Sequence, residues 1–430
     1  MTSQCNENWQ NKLYTGDNLY ILHGMNSESV DLIYLDPPFN SKRMYSAPIG
    51  SKAAGASFKD MWTWEDVDET YLETLADKHP GLVHFIESIA QTHSKAMMAY
   101  ITYMTQRVLE CHRILKDTGS LYFHCDPTAS HYVKIMLDEI FWRSNFSNEI
   151  IWCYRQGGRG ESHFARKHDI ILFYAKNKNK NCFDGNAVRV SYEGTGGYVN
   201  SGNGIINKLT GKIYFPNPLG KIPEDWWDIP TLNPNDPERT GYPTQKPLAL
   251  LDRIIKASCP KDGVVLDPFC GCATTCVAAQ YLERKWIGID IDIEKQSVKV
   301  LVERLEKRGH MEDQLKFIKY GIDFINTDII PKRTDLIEEI ITKETKNDIK
   351  KRLFNKQNGH CNACDVELEI HHFEIDHIIP KAKGGGDYFE NYQLLCGSCN
   401  RIKGARPMDY LRTKIKTREK MLKDKIIFGE

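Results

Sequence analysis

Two groups of residues in this chain have types and spacings suited to chemistry. The first is Asp36-Pro37-Pro38-Phe39, which ends the run "DLIYLDPPFN". A carboxylate at the carboxyl end of a parallel strand faces the crevice in which such sheets bind ligands. The two prolines fix the backbone and carry no N–H, which leaves carbonyls of the turn to accept hydrogen bonds. Phe39 adds a flat apolar face. This set suits a planar ring bearing an NH2 group: Asp36 and the Pro37 carbonyl accept the two hydrogens while Phe39 stacks on the ring. The lone pair of an aromatic amine is delocalised, and two fixed acceptors pull its nitrogen toward tetrahedral geometry and free that pair for attack.

The second group lies late in the chain. Cys361-x2-Cys364 and Cys396-x2-Cys399 are two knuckles whose thiolates can close a tetrahedral Zn²⁺ site. Through and past the second knuckle runs "EIDHIIPKAKGGGDYFENYQLLCGSCNRIKG". Asp376 and the side-chain oxygen of Asn400 can hold a hard divalent cation such as Mg²⁺ against a phosphate. His377 can take a proton from an attacking water, Asn391 can hydrogen-bond the loop that orients His377, and the cation stabilises the leaving oxygen. His360, His371 and His372 read as loop or surface histidines. Of thirteen cysteines, the other nine are scattered through the first 276 residues, which argues against a disulfide framework.

These groups need elements to position them. Short β-branched runs alternate with helical patterns, which predicts an α/β fold of βα units around a largely parallel sheet. Strands are expected at "KLYTGD" up to Asp17, at "VDLIYLD" up to Asp36, and over 119–125, 148–154 and 168–174, with a helix over 96–115. From Lys176 to Tyr242 glycine, asparagine, proline and lysine dominate, predicting an irregular, loop-rich module in which Trp226 and Trp227 serve as packing. In "KPLALLDRIIKAS" Leu248, Leu251 and Ile255 share one helical face. "GVVLDPFCGCATTCVAAQYLERKWIGIDID" then reads as strand, tight turn, helix and strand. Asp267 is a second strand-end acid before a small-residue turn, and Asp290, closing the next strand, is placed to accept from a ribose hydroxyl. The Trp- and Tyr-rich stretch from Met44 to Ser94 is expected to be helical cover or a lid. The expected divisions are 10–308, with the irregular module at 176–242, a charged linker at 309–349, a cysteine-bounded domain at 350–405 and a basic tail at 406–430.

A length of 430 residues suggests two or three domains, and 41% hydrophobic with 27% charged residues is ordinary globular composition. No apolar run reaches the roughly 18 residues needed to span a bilayer and the first residues lack a signal-peptide pattern, so a cytoplasmic chain with no membrane partner is expected. Net charge is zero, with 57 basic and 57 acidic residues, and implies no polyanion partner by itself. From Arg401 to Lys425, however, ten basic residues face three acidic ones, a local net charge of +7 beside the second knuckle.

The pair "DPPF" and "DPFCG", with "PTQKP" at 243–247 just ahead of the second, resembles the amino-group DNA methyltransferases of the β arrangement, in which the catalytic motif precedes the S-adenosylmethionine motif. The resemblance runs over roughly residues 10–308 and implies a Rossmann-like S-adenosylmethionine-dependent methyltransferase sheet. It makes Asp36 to Phe39 the catalytic motif, sets Asp267, Phe269 and Gly271 in the cofactor motif with Phe269 and Gly271 along the methionine part, and puts Asp290 on the ribose. It also implies Asp17 near the cofactor's adenine, Thr244 and Lys246 beside its methionine end, and 176–242 as target-recognition module. Asp rather than Ser before the prolines favours adenine over cytosine. The target base of double-stranded DNA would be flipped out, with Phe39 replacing its lost stacking. One departure is Cys272-Ala273, where the family commonly has Ser-Gly; if that position needs positive φ, alanine lowers cofactor affinity.

The late residues resemble an HNH nuclease of the ββα-metal type over 350–405, with Asn400 where the family often has His, which leaves the metal identity open. The two resemblances together imply a site-specific adenine methyltransferase carrying a zinc-stapled endonuclease or nickase, a plan that would let one chain perform restriction and modification. Two alternatives stay open: a methyltransferase whose zinc module only binds DNA, and a nuclease whose cofactor site has decayed at Cys272-Ala273. One HNH site cuts one strand, so a double break implies a second active site, as in a homodimer, or a second event.

Overall fold

The computed structural model describes residues 11–40, 43–47, 51, 57–60, 62–63, 72, 75–76, 78–154, 161–192, 205–206, 213–215, 217–291, 303–304, 326–327, 330–331, 333, 335, 345–381, 387, 389–406, 408, 410–412 and 414–415. They fall into two compact units, those within 1–15, 28–61 and 111–327 and those within 16–27, 62–110 and 328–430.

The first unit is built on a nine-stranded sheet. Its strands are β1 (Lys12–Thr15), β2 (Val30–Leu35), β5 (Leu115–Cys125), β6 (Phe146–Cys153), β7 (His168–Ala175), β10 (Trp226–Asp228), β11 (Val264–Asp267), β12 (Lys285–Asp290) and β13 (Asn326–Thr327). They lie in the order β10-β6-β7-β5-β2-β11-β12-β1-β13. All neighbours are parallel except β7, which runs antiparallel to both β5 and β6. Every residue of β2, "VDLIYL", is buried and all but one are hydrophobic, as expected of a strand covered on both faces. Its one acid, Asp31, is tolerated because its Oδ2 accepts from Lys116 Nζ at 2.8 Å and from the Val264 N–H at 2.8 Å. Helices α5 (Leu248–Ser258) and α6 (Thr274–Tyr281) supply Leu250, Leu251, Ile254 and Val277 to the core around Trp286. Two hairpins, β3 (Arg43–Ser46) with β4 (Ser57–Asp60) and β8 (Ile205–Ile206) with β9 (Ile213–Tyr214), stand apart from the sheet. Helix α4 (Ser130–Phe141) follows β5.

Two expectations need correction. Asp17 does not end a strand: β1 stops at Thr15, and the Asp17 side chain caps helix α1 (Asn18–Gly24) by accepting from the Leu19 N–H at 2.9 Å. The 176–242 module is not wholly irregular, because Trp226–Asp228 joins the main sheet as edge strand β10, with Trp227 opposite Trp152. Three residues are too few for a periodic signal. Trp227 is buried in the core, whereas Trp226 is 58% exposed.

In the second unit, α1 is joined by α2 (Pro80–Thr92) and by α3 (Lys95–Ile114) as far as residue 110, so the described part of Met44–Ser94 combines a hairpin with helix. Its C-terminal module begins at Thr345, which forms a capping box with Asp348 at the start of α7 (Lys346–Lys356). An antiparallel pair, β14 (Phe373–His377) and β15 (Tyr392–Cys396), leads into α8 (Gly397–Lys403), giving the ββα order. Ile349, Leu353, Phe373, Leu394, Leu395, Met408 and Leu411 form its core together with Cys361, Cys396 and Cys399. The basic run that starts at Arg401 is not uniformly solvated, since Lys403 is buried, and Lys416 to Lys425 lie outside the described residues. Among the described residues no helix is long and apolar enough to cross a membrane.

Candidate functional sites

Asp36 follows β2 by one residue, while Asp267 and Asp290 end β11 and β12. These strands are neighbours, so three carboxylates stand at the carboxyl ends of adjacent parallel strands where the strand order changes direction. Asp36 has a cationic partner: Lys246 Nζ lies 2.5 Å from its Oδ2, with the lysine side chain only 9% exposed. The same ammonium sits 3.4 Å from the Thr244 carbonyl and 5.5 Å from the centre of the Phe39 ring. Thr244 adopts φ +59°, uncommon for a β-branched residue, in a turn tied by Gln245, whose Oε1 accepts from Thr240 N–H and Oγ1 at 2.8 and 2.7 Å.

Beneath Phe39 lies His124, fully buried on β5. The two rings are 5.6 Å apart at 31°, and the edge of Trp152 closes on His124 at 5.4 Å. His124 Nε2 is 3.2 Å from Asp169 Oδ2, so that nitrogen donates, and Nδ1 is 2.8 Å from the Tyr34 hydroxyl and 3.9 Å from Asp36 Oδ1. Burial, with the charges of Asp36, Asp267 and Asp169 nearby, pushes the Tyr34 phenol far up, which keeps it a donor. Burial opposes ionisation of Asp169, yet the hydrogen bond from His124 and the charge of Lys246 hold its carboxyl below the usual range.

The turn after β11 is shaped by glycine. Gly271 has φ +49°, and a Cβ there would come within 2.9 Å of the Tyr242 ring. Its N–H donates to Asp290 Oδ2 at 2.9 Å. Ala273 is also left-handed, φ +57°, so the position does demand positive φ and an alanine supplies it. Asp267 accepts from the Phe269 N–H at 3.0 Å and from Thr275 Oγ1 at 2.6 Å, and burial nevertheless pushes its carboxyl up to about 7. Asp17, besides capping α1, pairs with Arg107 at 2.8 Å.

In the C-terminal module the sulfurs of Cys361, Cys364, Cys396 and Cys399 all lie within 4.8 Å of one another, with 3.8 Å between Cys364 and Cys396. A tetrahedron with Zn–S bonds of about 2.3 Å has edges of about 3.8 Å, so this donor set fits Zn²⁺. His377 Nε2 is 2.7 Å from Asp387 Oδ1, which also accepts from the Tyr392 hydroxyl at 2.8 Å. Burial works against Asp387, but hydrogen bonds from Lys381, His377 and Tyr392 hold its carboxyl down to about 2. An ionised Asp387 makes Nε2 the protonated nitrogen, and in the neutral ring Nδ1 is left as the basic one. Asn391 clasps the backbone just beyond, its Oδ1 accepting from Ile379 N–H at 2.8 Å and its Nδ2 donating to Ile379 O at 3.1 Å. Asp376 and Asn400 have separate partners: Asp376 Oδ2 accepts from Lys403 Nζ at 2.9 Å and Gln393 Nε2 at 2.8 Å, and Asn400 Nδ2 donates to Glu374 at 2.5 Å.

Comparison with known proteins turns this geometry into an assignment. The N6/N4 family described as DNA methylase matches residues 30–303, and the HNH endonuclease family matches 361–406. The chain belongs to the DNA methylase family. It is a DNA methyltransferase with a C-terminal HNH domain. The DNA adenine methyltransferase YhdJ of Escherichia coli K12 is 29% identical over 335 residues, 76% of this chain and 94% of that protein. The type II methyltransferase M1.MboII of Moraxella bovis is 35% identical over 187 residues, 42% of this chain and 70% of its own. The type II methyltransferase M.BglII of Bacillus subtilis is 27% identical over 292 residues, 66% of each chain.

Several residues around these methylase and HNH sites escaped the sequence reading. His124 and Asp169 are polar positions in or opening apolar strands, and that local anomaly was their only signal. Lys246 was expected beside a cofactor; the structure sets its ammonium on Asp36. Glu374, Asp387 and Lys403 were not picked out as site residues.

Proposed function

We propose that the chain transfers a methyl group from S-adenosylmethionine to the exocyclic amino group of adenine at a specific site in double-stranded DNA, and that its HNH domain nicks DNA. The observation that carries the first part is Asp36 at the end of β2, with one oxygen held by Lys246 and Phe39 floored by His124. In this reading Asp36 Oδ1 and the Pro37 carbonyl accept the amino hydrogens of a flipped adenine, with Pro38 fixing the turn and Phe39 stacking on the base. Lys246 keeps Asp36 from turning away, and the Tyr34–His124–Asp169 chain keeps the floor from tilting.

The residues fit the cofactor. The left-handed turn at Gly271 follows Phe269, Asp267 holds that turn through the Phe269 N–H and Thr275, and Asp36 and Asp290 stand at neighbouring strand ends as carboxylates suited to a cationic sulfonium. When bound, the cofactor supplies a methyl group on a positively charged sulfur. Asp290 then serves the ribose hydroxyls, Asp17 the adenine and Thr244 the methionine end. Adenine is favoured over cytosine by Asp ahead of the prolines, and the name of the YhdJ relative agrees. The 176–242 module is assigned to target recognition.

For nicking, His377 Nδ1 takes a proton from water while Asp387 and Asn391 hold the ring and its loop. Asp376 and Asn400 are the oxygen donors for Mg²⁺ or a similar cation, and the four cysteines hold Zn²⁺. The Lys403 ammonium on Asp376 favours a second reading, a zinc module that binds DNA without cutting. We place the protein in the cytoplasm, where methylation of the site would block cutting.

Expression in a methylation-deficient bacterial host, followed by single-molecule sequencing, tests the first part. Methyl-adenine at one motif that disappears with Asp36→Ala is expected; an unmodified genome with soluble protein present would sink it. Incubation of plasmid with Mg²⁺ or Mn²⁺ tests the second: nicking lost with His377→Ala is expected, and an intact plasmid with the native protein would select the binding-only reading.

A further inference from the structure

The loop between β6 and β7 carries an aromatic ring with no structural use. Phe164 is 98% exposed, the highest value among the large apolar side chains of the described residues. Burying such a ring is worth roughly 2 kcal/mol, so its exposure invites a partner. The foot of the loop fixes where that partner must be. Tyr154 N–H donates to the Lys167 carbonyl at 3.0 Å, and the Tyr154 hydroxyl to Asp169 Oδ1 at 3.3 Å. Asp169 in turn holds His124, the floor under Phe39. Because β7 is antiparallel, its first residues lie at the sheet end where β5 finishes, with Ile170 opposite Cys125. Phe164 therefore stands five residues from Asp169, at most about 17 Å of extended chain, and Asp169 reaches the floor of the amino clamp through His124. Around Phe164 are His163, Arg166 and Lys167 against one acid, Glu161, a balance suited to phosphates.

We propose that Phe164 is a wedge that enters the DNA stack where the target base has left it, its ring lying on the base pairs that border the gap while Arg166 and Lys167 meet adjoining phosphates. This rests on the base-flipping methyltransferase reading above. The full-length protein and Phe164→Ala, a substitution at a fully exposed position, would be compared in single-turnover methylation. The substrates are duplexes carrying the recognition motif with the target adenine either normally paired or opposite an abasic position, and a parallel duplex with 2-aminopurine at the target reports extrusion by fluorescence. The expected result is at least about a tenfold loss on the paired duplex with weakened fluorescence, and near-native rates on the abasic one, with Phe164→Trp restoring the paired rate. A Phe164→Ala protein as fast as the native one on paired DNA, or equally slowed on both duplexes, overturns the wedge alone. A native protein that methylates neither duplex overturns the reading beneath it as well.

Discussion

Asp36 and His377 are both polar groups at strand ends, yet they are held by different means. The partners of Asp36 come from the turn before α5 and, through His124 and Asp169, from β5 and β7. Those of His377, namely Lys403, Asp387 and Tyr392, come from one short ββα module. Behind the first site stands a nine-stranded sheet, and behind the second a two-stranded one whose core includes three of the four clustered cysteines. A large core can carry charged groups on its rim without help, whereas a core this small needs a staple.

The comparison breaks if the staple is dispensable. Cys361→Ser should cost most of the roughly 10 kcal/mol that a structural zinc supplies, so bound zinc measured by atomic absorption should fall to background and residues 345–415 should become protease-sensitive. Methylation should stay within about twofold of native, since the clustered cysteines belong to the core of their own module. The reverse test removes a rim partner. Lys246→Met leaves the Asp36 charge half-buried without its cation, and single-turnover methylation should drop about 100-fold, about 3 kcal/mol, while zinc content stays unchanged.

Two smaller effects sharpen the picture of the sheet. Burial lifts the Asp267 carboxyl to about 7, against a value near 4 when unfolded, so between those pH values the folded chain holds a proton that the unfolded chain releases. Its contribution to stability is therefore largest below about pH 4 and is lost as pH rises toward 7. Urea unfolding of the first unit at pH 5.5 and pH 8 should differ by about 2 kcal/mol on this account, and Asp267→Asn should remove the difference. Ala273→Gly relieves a left-handed alanine and should add about 1 kcal/mol, seen as a raised unfolding midpoint.

The sequence was readable where chemistry is local. "DPPF" and "DPFCG" each follow or end a largely apolar strand run, and the cysteine knuckles sit at zinc spacing, so the α/β class followed from pattern and the methyltransferase and HNH plan from motif resemblance. Long-range pairing was not readable. Lys246 meets Asp36 across 210 positions, and Asp169 meets His124 across 45, with nothing in either neighbourhood to announce the other. Edge strand β10 is defined by its hydrogen bonds to β6 rather than by three residues of its own. Lys403 looked like one more tail cation because its burial comes from folding onto β14, where it donates to the His377 carbonyl at 2.8 Å.

The four-sulfur cluster carries a consequence for the order in which a new chain matures. Residues 30–303 are synthesised before the first knuckle leaves the ribosome, and among the described residues the one cluster able to hold a metal is that of the four cysteines. On the proposed activities, marking competence comes first and cutting competence follows only after zinc is captured. A cell short of zinc would then accumulate chains that label its genome and leave it whole, so that metal supply acts as a safety interval between the two halves of one polypeptide.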